Sequence, residues 1–202
     1  MKTFFKIVVI GTLLFGAGFA WNRFVTGVRL SSRPSALTLA IGRSVPDFEL
    51  TESHGQPLTL SDLKGKVWVA NLMFASCPDV CMRIGKRIGE LDRQLGPRDD
   101  VRLVSITITP DLDTPSVLRA YADKLGASEK WWFLTGDRRE VVKLANQGFV
   151  LSAGTPGVLT HSDKLVLIDR EGVVRGYYDG DKPEGVAQLS AEIARLTSAR
   201  SQ

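Results

Sequence analysis

Two cysteines stand four residues apart in "ASCPDVCMR", Ala75 to Arg83, and the chain of 202 residues has no others. The C-x3-C spacing is neither the C-x-x-C of common redox motifs nor half of a paired structural zinc site. Pro78 suits the first position of a helix, which predicts Cys77 at the N-cap and Cys81 one turn in, on the same side. Cys81 then borders the stripe continued by Ile84 and Ile88, where a core meets the open end of a sheet. Open sheets place their ligand sites there, beyond the carboxyl ends of the strands. A helix N-terminus favours negative charge and lowers a thiol pKa, so a thiolate is expected to be accessible near neutral pH. Two thiolates on successive turns either close a disulfide or grip one soft metal ion. A purely structural disulfide gains little here, because it closes a loop of only a few residues.

Further ligands are few. The chain has two histidines. His54, in "SHGQ", reads as an exposed turn residue. His161, in "LTHSDKLVLID", stands at the mouth of an apolar strand, and alone it reads as a hydrogen-bonded strand-end residue. With two thiolates it completes a three-ligand set. Sulfur selects Cu(I) and imidazole also suits Cu(II), so Cys77, Cys81 and His161 together could hold copper in both states and leave a position open. Spacing alone does not bring His161 to the cysteines. Met73 reads as core and Met82 as helix surface or gap-filler. Asp113 reads as a helix cap, Asp111 and Asp163 as loop ends, Trp131-Trp132 as packing and Arg138-Arg139 as a solvated helix face. Haem-attachment, P-loop, G-x-S-x-G and H-E-x-x-H motifs are missing.

The elements that must position these residues follow from hydrophobic patterning. "VPDFELTESHGQPLTL" holds two short alternating runs, Phe48–Leu50 and Leu58–Leu60, around a turn cluster, and predicts a β-hairpin. Val67–Ala75 and Val101–Ile108 are apolar runs suited to strands buried on both faces. "DKLVLID" and "VVRGYYD" flank Arg170-Glu171-Gly172 as a second hairpin. Helical spacing links Val80, Ile84, Ile88, Leu91 and Leu95 before Gly96-Pro97. Asp113-Thr114-Pro115 opens a second helix running to about Leu125, Asp137 a third, and Pro183-Glu184 a last one through Leu196. The order implies an α/β fold with one mixed sheet and helices on both faces.

The formal net charge of +4 does not point to nucleic acid. Lys2, Lys6, Arg23, Arg29 and Arg33 lie in an acid-free leader. Removing those five leaves 21 basic residues against 22 acids and no basic stripe for phosphates. Within that leader Ile7–Trp21 is uncharged, the pattern of a signal core or a short membrane anchor. Trp21 and Arg23 resemble an interfacial anchor, which favours an uncleaved N-terminal anchor helix over 1–21. Gly18-Phe19-Ala20 would permit cleavage, leaving a secreted or periplasmic protein. Residues 22–43 read as a tether and 44–202 as one exported domain, in a compartment where cysteines can pair.

The soluble portion resembles a known family. "VPDFELTESHGQPLTLSDLKGKVWVANLMFASC" resembles the opening of thioredoxin-like extracytoplasmic proteins. "SCPDVC", "VSITITPDLDTPSVLRAYADKLG", "WWFLTGD" and "HSDKLVLIDREGVVRGYYDG" resemble the Sco/SenC family, over roughly residues 44–197. The chain departs from the pattern at Met82, where relatives often carry proline, and at Thr109-Pro110, where they often carry Asp-Pro. The resemblance implies a thioredoxin-like fold on an N-terminal anchor in the inner membrane, with the domain facing the periplasm. It implies copper on Cys77, Cys81 and His161. It implies a part in building the CuA site of cytochrome c oxidase, by delivering copper, by reducing cysteines, or both. The expected partners are the CuA-bearing subunit, other copper chaperones and thioredoxin-like reductants. The alternative is a metal-independent thiol–disulfide oxidoreductase, with Cys77 attacking and Cys81 resolving.

Overall fold

The structure is a computed structural model that describes residues 40–77, 79–151 and 162–198. A short hairpin opens it. Strands β1 (Glu49–Glu52) and β2 (Pro57–Thr59) pair antiparallel, with Leu50 opposite Leu58. Gly55, at φ 83°, takes the left-handed turn between them, a conformation that favours glycine. The second strand is shorter than the alternation suggests. Leu60 leaves it to open a one-turn helix, α1 (Leu60–Leu63), because the Asp62 carboxyl accepts from the Thr59 backbone N–H at 2.7 Å.

Strand β3 (Val67–Met73) is buried along its whole length, as an uninterrupted apolar run requires. Helix α2 (Val80–Leu95) carries the chain to β4 (Val101–Thr107), parallel to β3. Helix α3 (Pro115–Leu125) then leads to β5 (Trp131–Thr135), parallel to β4. Patterning alone reads Trp131-Trp132 only as packing. In the structure these residues open a strand that joins the hairpin to the rest of the sheet. Helix α4 (Arg138–Lys143) continues as a wider π turn over Leu144–Gly148. It begins at Asp137, whose side chain accepts from the Arg139 and Glu140 N–H groups. Strands β6 (Lys164–Ile168) and β7 (Val174–Asp179) form the closing hairpin, and α5 (Pro183–Ser198) ends the described chain.

The result is one mixed seven-stranded sheet in the order β2-β1-β5-β4-β3-β6-β7. Helix α2 packs against α3 and α5. Alternation along the strands places Val69, Leu103 and Trp131 beneath α2, whereas Trp68 points the other way and meets Phe149 edge-on at 6.1 Å. Helices therefore cover both faces, consistent with a thioredoxin-like arrangement. Two polar devices fix the central strands. Trp131 Nε1 donates to Ser105 Oγ (2.9 Å), and Ser105 Oγ donates to Asn71 Oδ1 (2.7 Å), one residue from each of β5, β4 and β3. Lys130 Nζ lies 2.6 Å from Asp92 Oδ1, both buried, and ties the approach to β5 onto α2. Gly42 and Arg43 already exchange backbone bonds with Val174.

The anchor expected over 1–21, and most of the tether, lie outside the described residues. Among the described residues no helix is long and apolar enough to cross a membrane.

Helix α5 can sit against β7 only because Gly185 lacks a side chain. A Cβ there would stand 2.2 Å from the Asp179 carbonyl oxygen, a backbone atom. Gly185→Ala is expected to lower stability by about 2 kcal/mol through overpacking, read as a lower urea midpoint with unchanged m-value.

Candidate functional site

The cysteines lie where β3 runs out of the sheet. After Met73 the chain turns tightly, with the Cys77 N–H donating to the Phe74 carbonyl at 3.2 Å. Cys77 closes this turn and is not the helix cap. The N-cap is Asp79, whose carbonyl accepts from the Arg83 N–H at 3.0 Å as the first helical bond. Cys77 still serves the helix end, because its Sγ accepts from the Cys81 backbone N–H at 3.3 Å. Its sulfur thus satisfies one of the amides that a helix N-terminus leaves open. Arg83 grips Asp181 through Nε (2.9 Å) and Nη2 (3.0 Å), which fastens the first turn of α2 to the loop before α5.

Asp113 holds the turn in place. It is 2% exposed, and one carboxyl oxygen, Oδ2, accepts three hydrogen bonds. The donors are the Ala75 backbone N–H (2.9 Å), Thr107 Oγ1 (2.5 Å) and Thr109 Oγ1 (3.0 Å). The cap of α3 is instead Thr114, whose hydroxyl accepts from the Val117 N–H. Reading Asp113 as a cap is therefore corrected: its side chain points inward, onto the cysteine turn. Asp111 meets Arg138 at 3.1 Å on the surface and Asp163 meets Lys164, as loop-end carboxylates do. His54 is exposed and hydrogen-bonds Glu52, and Met73 is buried in β3.

Cys77 and Cys81 are both unpaired thiols, 4% and 7% exposed. Burial pushes the Cys81 thiol up to about 12. The hydrogen bond to the Cys77 side chain adds to this, as do the nearby Cys77 and Asp113 groups, against a smaller opposing effect of the Phe74 backbone. The expectation of an accessible thiolate is therefore wrong for Cys81. The helix end favours the anion, but loss of solvent outweighs it. A proton held this firmly gives way to a stronger competitor, and a soft metal ion bonded to sulfur is one.

The structure thus brings Cys77 and Cys81 into side-chain contact. His161 lies outside the described residues. Among the described residues, no group of three or more His, Cys, Asp or Glu side chains is placed to hold a metal. Asp113 cannot serve as a third ligand through Oδ2 without giving up the turn. Two adjacent buried sulfurs fit a soft ion as a partial donor set.

The sequence profile of the SCO1/SenC family matches residues 40–198. Solved structures that share the fold and at least a quarter of the aligned residues include the following three. A SCO1/SenC family lipoprotein from Bacillus anthracis is 30% identical, with TM-score 0.70, covering 79% of this chain and 96% of its own. BsSco, described as a member of the Sco family of cytochrome c oxidase assembly proteins with a disulfide switch, is 25% identical, with TM-score 0.70 and coverage of 78% and 95%. Copper-bound ScoI from Bradyrhizobium japonicum is 27% identical, with TM-score 0.63 and coverage of 78% and 99%.

Two outcomes follow. Asp113→Ala leaves two buried hydroxyls and the Ala75 N–H without their acceptor and should cost about 3 kcal/mol, measured by denaturant unfolding. The reduced domain should also lose stability as pH rises from about 9 to about 12. In that window the unfolded chain has released the Cys81 proton and the folded chain still holds it, so unfolding is favoured. Cys81→Ala should remove this part of the alkaline loss, seen as a flatter stability–pH curve.

Proposed function

The chain belongs to the SCO1/SenC family, and from that membership we propose that it is a membrane-tethered, extracytoplasmic copper carrier. Copper is its cargo, bound by Cys77, Cys81 and His161 and delivered to the CuA-bearing subunit of cytochrome c oxidase during assembly. The proposed layout is an anchor over 1–21 in the inner membrane, a tether over 22–43, and a periplasm-facing domain over 44–202.

One observation carries the reading: the chain's two cysteines are buried, not joined by a disulfide, and in mutual contact at the carboxyl end of β3. Two thiols that share a proton-bearing contact present two soft donors to one ion. Binding releases the thiol protons, and metal affinity is therefore coupled to pH and to thiol state. The topology supports the third ligand. Strand β6 runs antiparallel to β3, with Ala70 opposite Val166 and Trp68 opposite Ile168. Lys164, three residues after His161, therefore opens β6 at the end of the sheet where β3 finishes. A family relative, ScoI, holds copper, and another, BsSco, is named among cytochrome c oxidase assembly proteins.

A second reading rests on the same sulfur contact. Cys77 and Cys81 can give two electrons and two protons to a client disulfide, forming their own disulfide and leaving the client as a dithiol. The disulfide switch described for BsSco favours keeping this reading beside the first. Oxidation of the pair would remove both thiolates and release bound copper, so the two readings are alternative ends of one cycle.

The full chain in detergent, titrated with Cu(II), should develop thiolate-to-copper charge transfer. Cys77→Ser and Cys81→Ser should each abolish it. His161→Ala should weaken copper binding at least tenfold in chelator competition and leave disulfide exchange intact. Unchanged copper affinity in that variant would remove His161 from the ligand set, and a spectrum without charge transfer would favour the oxidoreductase reading.

A further inference from the structure

Tyr121 has a buried hydroxyl that makes no hydrogen bond among the described residues. The residue is 7% exposed, and its ring is fixed edge-on against Phe133, with centroids 6.1 Å apart. Buried phenols ordinarily find a partner, and an orphaned one is costly enough to call for an explanation. Its position supplies one. A Cβ built on Gly85 would stand 3.5 Å from the Tyr121 oxygen and 3.0 Å from Leu125 Cδ1. Gly85 lies four residues after Cys81, on the same face of α2. Cα–Cβ bonds on a helix tilt toward its N-terminus, so the space left by Gly85 opens toward Cys81. The phenol oxygen lies beside that space, near enough to Cys81, Cys77 and Asp113 for each to act on it electrostatically. Burial, then Cys81, Cys77 and Asp113, all push Tyr121 further from ionising, so it remains a neutral O–H donor.

We propose that the Tyr121 hydroxyl is a donor reserved for the Cys81 sulfur, engaged when a soft metal ion replaces the thiol proton and the sulfur becomes a thiolate. The proposal rests on the metal-binding reading above. A neutral thiol is a weak acceptor. A thiolate is a strong one, and hydrogen bonds to ionised groups are roughly twice as strong as neutral ones. The hydroxyl is thus unpaired in the metal-free thiol form and paired in the loaded form, which makes it a positioning and tuning residue for the metal-bearing sulfur. It touches the metal only through Cys81.

The test compares the full chain with Tyr121→Phe, using Cu(I), Cu(II) and Cd(II) alone as probes. Three results are expected together. Metal-free stability should be unchanged or slightly raised, because the ring remains and the orphaned hydroxyl is gone. Cu(I) affinity should fall about tenfold in chelator competition. The thiolate-to-Cu(II) charge-transfer band should move to lower energy, because the sulfur loses a donor that withdraws its electron density. A merely structural tyrosine would lower metal-free stability and leave the band in place, which overturns the proposal. If wild type binds metal and the variant matches it in affinity and band energy, the tyrosine inference fails alone. If wild type takes up neither copper nor Cd(II), the metal reading fails and takes this inference with it.

Discussion

One carboxyl oxygen, Oδ2 of Asp113, fixes the geometry on which the dithiol depends. It joins the turn that leaves β3 to the end of β4, the two strands whose carboxyl ends make the floor of the site. The same residue immediately precedes the cap of α3, so the start of that helix is pinned to the cysteine turn. Tyr121 is carried on α3, and Gly85 and Cys81 on α2. A shift at Asp113 would therefore move both walls of the site together. A buried network of this kind rigidifies when every member is satisfied and is costly when one is removed. Thr109 belongs to it. A hydroxyl there donates to Asp113, whereas a carboxylate in its place would bring a second acceptor to the same oxygen.

The energetics of the sulfur pair follow from its setting. A helix N-terminus alone would draw out a thiolate, but burial in the core edge opposes it and wins at Cys81. The Cys81 thiol therefore keeps its proton well above neutral pH. Beside it lie the Cys77 sulfur, which accepts from the Cys81 amide, and the Tyr121 hydroxyl, unpartnered among the described residues. Such a site resists adventitious ionisation and responds to a ligand that pays the desolvation cost through direct bonding to sulfur.

Much of the scaffold was legible in one dimension. Val67–Met73 and Val101–Thr107 declare themselves because strands covered on both faces need uninterrupted apolar residues. Helix α2 shows in the four-residue recurrence of Ile84 and Ile88, and the closing hairpin in its turn residues. Trp131–Thr135 does not read as a strand, because four large apolar residues and a threonine without a period fit a strand and a buried helical segment equally. Sequence puts the helix start two residues early, since Pro78 fits a first helical position and the turn at Phe74–Cys77 leaves no local pattern. Asp113 reads as a cap because aspartate before Thr-Pro satisfies that rule. The available signal was Thr107 and Thr109, two apart on one side of a strand end, with an acid four residues on. Tyr121 carries no sequence signal, because on a helix face a tyrosine beside Leu118 and Leu125 looks like ordinary packing. Only three dimensions show its hydroxyl stranded above a glycine.

The near-complete enclosure of both sulfurs also sorts what can arrive at them. A bare or lightly chelated ion is small enough to slip past side-chain fluctuations, but a folded protein's disulfide is not. Exchange with another protein then demands that the acceptor offer a slender protrusion, or that the surroundings of the dithiol part first. Uptake from a diffusing source and hand-off to a macromolecule are thus unequal tasks for this fold, and the second is the one for which the enclosure must open.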